Sequence, residues 1–530
     1  MENVQPDLNK TLLKLRNFSF GYEITGDTYI LRDLSFTLHT NEVTLLMGAS
    51  GSGKSSLALC LNGLYPEAVE GIAKGDIYFN NQNLKDFPKG ELAQHIGVVF
   101  QDPESQFCMI TVEDELAFTL ENLKVPTREM PERILEVLRL VGMENHLTTN
   151  LHELSGGEKQ KIALAAVLLL TPKFILLDEP TANLDPESSI EFISLIQRIQ
   201  LERNLAILII DHQADDWLPL IDRLLILGKD GRILIDGPPE KIFNEQDQLL
   251  RDVGIFLPKA IQDNQPFYKK GSLQETKTLL TIENLTFQRN QHRILHEINL
   301  KLYQGEFVSI VGRNGAGKST LLQLMAGIIS PDNGVITLLN KPLMKWKEKE
   351  LRKEIGFVFQ NPEHQFITDT VMDEITYGMK LTRYAEETVS NRAESLLTQF
   401  DLQKYRYSNP FSLSGGQKRR LSVATMLDEI PKLLLFDEPT FGQDAHTTHE
   451  LIETIMNLKE KGTTIVIITH DMDLADLSDR LFVIGNQEII FSGEPDCLWQ
   501  QSEIIKKAKL RLPYHLQNEF RVGVPHDSVH

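Results

Sequence analysis

The 530-residue chain carries 54 Lys and Arg against 74 Asp and Glu, a formal charge of −20, with 41% hydrophobic and 24% charged residues. This is a soluble globular composition, and its acidity argues against a protein whose main task is to track a nucleic-acid backbone, which needs clustered Lys and Arg. Length alone predicts about three or four domains at roughly 100–200 residues each, a prior that an internal repeat overrules.

In chain order, Met1, Glu2, Asn3 and Val4 are neither basic nor followed by an apolar core, which predicts no export signal. Val43–Met47 is a short apolar run leading into Gly48–Ser55 (GASGSGKS) and then a helical pattern. G-x-x-x-x-G-K-[ST] between a strand and a helix predicts a phosphate site. Gly48, Gly51 and Gly53 let backbone N–H groups wrap the phosphates, and the helix N-terminus adds its dipole. Lys54 is expected to reach the β- and γ-phosphates and Ser55 to sit on Mg²⁺, with Ser50 and Ser56 in the same site.

Gln101 follows in VVFQDPESQF, then Thr111–Glu115 (TVEDE). Leu154–Gln160 (LSGGEKQ) opens a helix, so the Ser155 hydroxyl with the Gly156 and Gly157 N–H groups makes either a second anion-binding surface or a plain N-cap. Ile162–Leu170 is the longest apolar run, about half of the ~20 residues that a spanning helix needs. Phe174–Leu177 ends in Asp178 and Glu179. The first is suited to hold a metal shell and the second to orient or deprotonate a water, although acids at strand ends also serve as caps or solvated loop residues. Ala206–Ile210 ends near His212.

The succession then returns. Phe307–Val311 leads into Gly312–Ser319 (GRNGAGKS), with Gly312, Asn314, Gly315, Gly317, Lys318, Ser319 and Thr320 as its phosphate residues. Gln360 lies in FVFQNPEHQF before Thr370–Glu374, Ser414, Gly415 and Gly416 lie in LSGGQKR, Leu433–Phe436 ends in Asp437 and Glu438, and Ile465–Ile468 precedes His470. The offset stays near about 260 residues, too long for a solenoid unit and right for a duplicated domain. Strands with functional residues just past their C-terminal ends predict an α/β domain with a largely parallel sheet. The expected organisation is domain one over 1–249, a linker with some local structure over 250–276, domain two over 277–510 and a frayed polar tail over 511–530. Cys60, Cys108 and Cys497 are too few and scattered for a disulfide framework or a zinc or iron–sulfur site, which predicts a reducing, cytoplasmic compartment.

With paired P-loops, Asp-Glu strand ends and two LSGG motifs, nearly all of both halves resembles the ABC ATPase family, for which LSGGQ is diagnostic. The resemblance implies two tandem P-loop NTPase domains, each a RecA-like core with an antiparallel β part and a helical signature subdomain, that bind and hydrolyse ATP with Mg²⁺. It implies head-to-tail closure in which Lys54, Ser55, Gln101, Asp178, Glu179 and His212 face Ser414, Gly415 and Gly416. Lys318, Ser319, Gln360, Asp437, Glu438 and His470 then face Ser155, Gly156 and Gly157. Glu179 and Glu438 take the catalytic role with the switch histidines His212 and His470. Ser55, Gln101 and Asp178, and Ser319, Gln360 and Asp437, take the Mg²⁺ role, while Asp185 and Asp444 match the D-loop. Tyr22 fits the aromatic that stacks on adenine. The aligned residue is Arg289, either a stacking guanidinium plane or a solvated loop charge. Glu158 stands where the family has Gln and is expected to weaken the second composite site slightly. Both sites keep their Glu and His, so both are expected to turn over.

The segments Gln101–Phe107 and Gln360–Phe366, each followed by Thr-Val-x-Asp-Glu, resemble the Q-helix of energy-coupling factor (ECF) ATPases, which contacts the coupling helices of a transmembrane component. A Pro-led turn with a capped helix and no partner is the plainer reading. The ECF resemblance implies a peripheral subunit on the cytoplasmic face of the cell membrane. Its partners are a transmembrane coupling subunit and a substrate-binding membrane subunit for a vitamin, a vitamin precursor or a metal ion. The acidic balance argues against a nucleic-acid partner, and both ATPase halves are supplied in one chain. The rival is a soluble tandem ABC ATPase acting on ribosomes or nucleic acid. Against it stand the short, charge-balanced 250–276 segment and the lack of zinc cysteines or long coiled coils.

Overall fold

Continuous apolar runs decide the architecture. In the computed structural model, which describes residues 10–22, 29–88, 90–260, 277–382, 384–440 and 442–521, strands Val43–Gly48 and Phe307–Gly312 are buried at every position. Such strands show no polar alternation because layers cover both faces of their sheet. Successive side chains still point to opposite faces. Val43, Leu45 and Met47 therefore join a helical core with Leu116, Ile162 and Phe192, while Leu46 joins Phe18, Leu57 and Phe79 on the other side. In the second half Phe307 goes to the helical core and Val308 and Ile310 to the opposite one.

The described residues form two compact units, the first mainly from residues up to 260 and the second mainly from 277 onward. In the first, the central sheet runs Ile233–Gly237, Arg223–Leu227, Val43–Gly48, Ala206–Ile210, Phe174–Asp178, Ile96–Val99. All its neighbours are parallel except the first pair. The second unit repeats this order as Glu488–Gly493, Arg480–Gly485, Phe307–Gly312, Thr464–Ile468, Leu433–Asp437, Ile355–Val358, again with one antiparallel edge. Each unit adds an antiparallel sheet, built on Thr11–Gly21 with Ile72–Phe79 and on Thr278–Arg289 with His292–Tyr303. A helical layer completes each: Val112–Asn122, Met130–Val141 and Gly156–Leu169, then Val371–Thr382, Glu386–Gln399 and Gly415–Ala424. This is the expected fold class.

Two segments are more ordered than their composition suggests. The chain stays in the first core beyond the expected start of the linker, because Leu250, Ile255 and Leu257 are buried there and Asp247–Val253 is a helix. In the expected tail, Pro513 is buried and Tyr514–Arg521 is helical. The rest of both segments, 261–276 and 522–530, lies outside the described residues. Among the described residues no helix is long and apolar enough to cross a membrane.

Candidate functional site

Each glycine-rich loop lies between a buried strand and a helix, Lys54–Leu61 or Lys318–Met325, and its shape requires glycine. Gly53 and Gly317 have φ of 101° and 96°, and a Cβ on Gly53 would come within 2.8 Å of the Leu31 side chain. Gly312, at φ 146°, would press a Cβ to 2.3 Å from the Ile484 carbonyl oxygen. Both lysines are buried and folded back on the loop. Lys54 Nζ donates to the carbonyls of Gly48 and Ala49 at 2.8 and 3.3 Å, and Lys318 Nζ to those of Gly312 and Arg313 at 2.8 and 2.9 Å. Burial pulls the Lys54 ammonium below its ordinary pKa, against the opposing pull of the Glu179 and Asp178 carboxylates. Ser50, Gly51, Asn314 and Gly315 lie in the loops, and Ser55, Ser56, Ser319 and Thr320 in the first helical turns.

Tyr22 is brought to this site: its hydroxyl lies 3.1 Å from Ser56 Oγ and its ring packs edge-on against Phe20. Arg289 is an exposed residue ending its strand, opposite His292.

The acids after the strands carry a shared backbone feature. Glu179 and Glu438 have φ of 46° and 50°, a left-handed conformation that is strained for a residue with a side chain. The next strand holds them there, Ile210 O accepting from Glu179 N at 2.9 Å and Ile468 O from Glu438 N at 3.1 Å. Glu179 is bracketed by two groups from separate loops: His212 Nε2 at 3.0 Å from Oε1 and Gln101 Nε2 donating to Oε2 at 2.9 Å. Burial pushes the Glu179 carboxyl up, yet His212 and Lys54 together hold it below the ordinary range. In the second unit His470 Nε2 lies 3.0 Å from Glu438 Oε1 and 3.3 Å from Lys318 Nζ. Among the described residues no side-chain hydrogen bond joins Gln360 to Glu438.

The residues beside these acids suit Mg²⁺. Burial, with the neighbouring Glu179 charge, raises Asp178 from 3.8 to about 6. Burial likewise raises Asp437 to about 6, against the Ser319 hydroxyl. Ser319 Oγ donates to Asp437 Oδ1 at 3.1 Å. Asp178 Oδ1 is buried with no hydrogen-bond partner, and the Ser55 hydroxyl is near enough to stabilise the carboxylate charge. A buried carboxylate oxygen without a donor, beside a hydroxyl, fits a small hard cation that takes oxygen ligands.

The signature serines are N-caps of complete capping boxes. Ser155 N donates to Glu158 Oε2 at 2.8 Å and Ser155 Oγ to the same oxygen at 2.7 Å, while Ser414 N donates to Gln417 Oε1 at 3.0 Å. Glu158 therefore does the capping work that Gln417 does in the second unit, but adds a charge. Gly156, Gly157, Gly415 and Gly416 form the first turns. Asp185 caps the helix Pro186–Arg203 through Ser188 N at 3.0 Å, and Asp444 precedes the helix Ala445–Glu460.

Sequence reading missed the residues that tie these pieces together. Gln160 donates to Phe100 O at 3.3 Å. Arg419, at the same place in the second motif, donates to Phe359 O and Gln360 O at 2.6 and 2.5 Å. Lys159 pairs with Glu104 and Lys418 with Glu363 at 2.6 Å. The available signal was their position within a repeated motif.

Comparison with known proteins places this geometry. A family model described as ABC transporter matches residues 31–182 and 295–441. The Bacillus subtilis protein YkoD, named as a candidate HMP/thiamine import ATP-binding protein, is 44% identical over 528 residues, covering 95% of each chain. A Clostridium perfringens protein named as a candidate ABC transporter ATP-binding protein is 33% identical over 557 residues, covering 98% of this chain and 97% of its own. The solved structure of cbiO1 from Clostridium perfringens, described as part of the ABC transporter complex cbiONQ, is 33% identical, covers 46% of this chain and 99% of its own, and has a TM-score of 0.39.

Proposed function

Because the chain belongs to the ABC transporter family and is an ATPase of the ABC type that binds ATP with Mg²⁺, we propose that it is the energy-coupling subunit of an ECF-type importer. In this reading it works on the cytoplasmic face of the membrane with both ATPase halves in one chain. The observation that carries the catalytic part is the duplicated set of Glu179 with His212 beside Asp178 and Lys54, and Glu438 with His470 beside Asp437 and Lys318.

Lys54 and Lys318, with the loop N–H groups, hold the β- and γ-phosphates, and Tyr22 meets the adenine of the first site. Glu179, kept ionised by His212 and Lys54, orients the attacking water and takes its proton as the water oxygen bonds to the γ-phosphorus and the bond to the β-phosphate oxygen breaks. Glu438 does the same in the second site. Mg²⁺, when bound, neutralises charge on the phosphate oxygens. Ser55, Gln101 and Asp178, or Ser319, Gln360 and Asp437, would hold it. His212 and His470 meet the γ-phosphate. In the working cycle Ser155, Gly156 and Gly157, or Ser414, Gly415 and Gly416, complete the site of the other half, with Asp185 and Asp444 crossing between them.

The name of the relative that is 44% identical supports import of a vitamin or vitamin precursor, with a metal ion as the other ECF cargo. The segments after Gln101 and Gln360 support docking of a transmembrane coupling subunit, which works with a separate substrate-binding membrane subunit. Each segment is locked locally. Glu115 Oε2 accepts from the backbone of Cys108 and Met109, both at 2.8 Å, and Glu374 Oε2 from Ile367 and Thr368 at 3.0 and 2.7 Å. This leaves Ile110 and Ile367 65% and 69% exposed, apolar tips on a rigid base.

The catalytic reading is tested by Glu179→Gln and Glu438→Gln. Each is expected to keep ATP binding and to lower turnover of the full chain by about a hundredfold or more. If one variant turned over at the parental rate, the symmetric assignment would be wrong. Deleting Pro103–Phe107 should release the membrane partner, and undiminished copurification from detergent would sink the docking part.

A further inference from the structure

An aspartate lies three residues beyond each switch histidine, Asp215 after His212 and Asp473 after His470. Each accepts a hydrogen bond from far along the chain. Lys259 N donates to Asp215 Oδ1 at 2.7 Å and Tyr514 N to Asp473 Oδ1 at 2.7 Å. Both donors directly follow a proline, in Leu257-Pro258-Lys259 and Leu512-Pro513-Tyr514. Both prolines are buried. Leu257 belongs to the first helical core, and Leu512 packs on the cluster that contains Met472 and Trp499. A proline fixes its own φ, which narrows the paths by which the segment carrying the next residue's N–H can approach. A carboxylate acceptor makes the bond stronger than one between neutral groups.

Each aspartate is also linked to its histidine through a short, internally bonded turn. In the second unit Asp471 caps Met472–Asp476 by accepting from Asp473 N and Leu474 N at 2.9 and 3.4 Å. In the first, Asp211 accepts from His212 N, Gln213 N and Trp217 Nε1 at 2.6, 3.1 and 2.8 Å, with Ala214 and Trp217 fully buried. The two turns differ in sequence and in their internal bonds. The returning segments are separated from them by 44 and 41 residues. Both halves nevertheless bring a Leu-Pro-x amide to the same carboxylate. A contact made twice by different intervening chain is a feature of the plan.

We propose that the Leu-Pro-x segment closing each half positions that half's switch histidine, with Asp215 and Asp473 as positioning residues. The segment acts as a strap: where it is latched, the turn carrying His212 or His470 is fixed, and where it lifts, the histidine is released from the γ-phosphate position. The inference rests on the reading of those histidines given above, and the experiment separates the two.

The full chain is assayed for Mg-ATP turnover, with KM and thermal midpoint measured alongside, for Asp215→Ala, Asp473→Ala, Asp215→Asn, Asp473→Asn, His212→Ala and His470→Ala. Alanine removes the acceptor, whereas asparagine keeps a carbonyl oxygen for the same N–H. Each alanine variant at aspartate is expected to lower kcat about tenfold with KM within about twofold, since a histidine displaced by a fraction of an ångström loses rate more than binding. The thermal midpoint stays with the parent, and asparagine recovers most of the rate. Parental turnover in both aspartate-to-alanine variants, a rate loss that only follows a fall in folded protein, or no recovery by asparagine would each overturn the proposal. If the histidine variants are inactive while the aspartate-to-alanine variants are fully active, the strap alone fails. If the histidine variants are fully active, the role given to the histidines fails as well.

Discussion

The two halves share a backbone plan and set charge into it differently. The Q-loop is held from the signature helix by a neutral amide in the first half, Gln160 at 3.3 Å from Phe100 O. In the second it is held by the guanidinium of Arg419, which reaches two carbonyls. The first switch strand is followed by Asp211, pushed up by burial, and the second by Thr469. The first signature cap closes with Glu158 and the second with Gln417. A carboxylate in the first half thus meets a neutral group in the second, and an amide meets a cation. Positions one step away from the reacting groups are constrained by the direction of a hydrogen bond more than by its charge, so a duplicated site can keep its geometry while its electrostatics drift.

The sharpest way to break this comparison is at Arg419, which is 1% exposed and whose guanidinium burial lowers from its ordinary pKa to about 10 while Asp437 and Glu438 oppose the shift. Arg419→Met should destabilise the second unit by about 3–4 kcal/mol by leaving two Q-loop carbonyls without donors. Arg419→Gln, which copies the first half, should recover about half of that, and Gln160→Ala should cost only about 1 kcal/mol. Denaturant titration of each variant measures this, and equal losses for Met and Gln at 419 would defeat the argument from direction.

The next effect depends on pH. Asp178 and Asp437 titrate at about 6 in the folded chain against 3.8 for an ordinary aspartate. The folded state therefore keeps a proton that the unfolded state has released, and the stability this lends is complete near pH 4 and lost as pH rises through about 6. Asp178→Asn and Asp437→Asn, neutral throughout, should each gain on the parent by about 3 kcal/mol between pH 4 and 7, a difference that denaturation without nucleotide across that range would reveal. Trp217→Phe should cost about 1–2 kcal/mol in the first unit alone, by removing a donor from Asp211; a second-unit transition shifted equally would count against it. The smallest change is Glu158→Gln, which keeps the capping box. Stability should move by less than about 0.5 kcal/mol, while turnover rises no more than about twofold as one like charge leaves the phosphate surface of the signature.

The parts of the molecule legible in the sequence are those where chemistry and chain order coincide. The buried parallel strands announce themselves as unbroken apolar runs, and those ending at Gly48, Asp178 and Ile210 run directly into loops whose residues do the chemistry, so Lys54, Asp178, Glu179 and His212 could be found from one dimension. The antiparallel sheets were less legible, because strands such as Thr278–Arg289 alternate irregularly and carry register shifts against their neighbours. Arg419 and Gln160 read as ordinary helix residues, since nothing local says which carbonyl they will meet. The linker and tail were read from polarity, and a few buried leucines and prolines outweighed it: Leu250, Leu257 and Pro513 anchor stretches whose average composition is that of loops. The repeat could have exposed them, because Leu-Pro recurs in both halves.

The left-handed backbone at Glu179 and Glu438 sets a trap for protein engineering. Glycine would relax either position by about 1 kcal/mol or more and would remove the carboxylate that activates water. A library selected only for heat resistance would therefore drift toward chains that fold better and no longer turn over, and a screen for durability must carry an activity readout to avoid them.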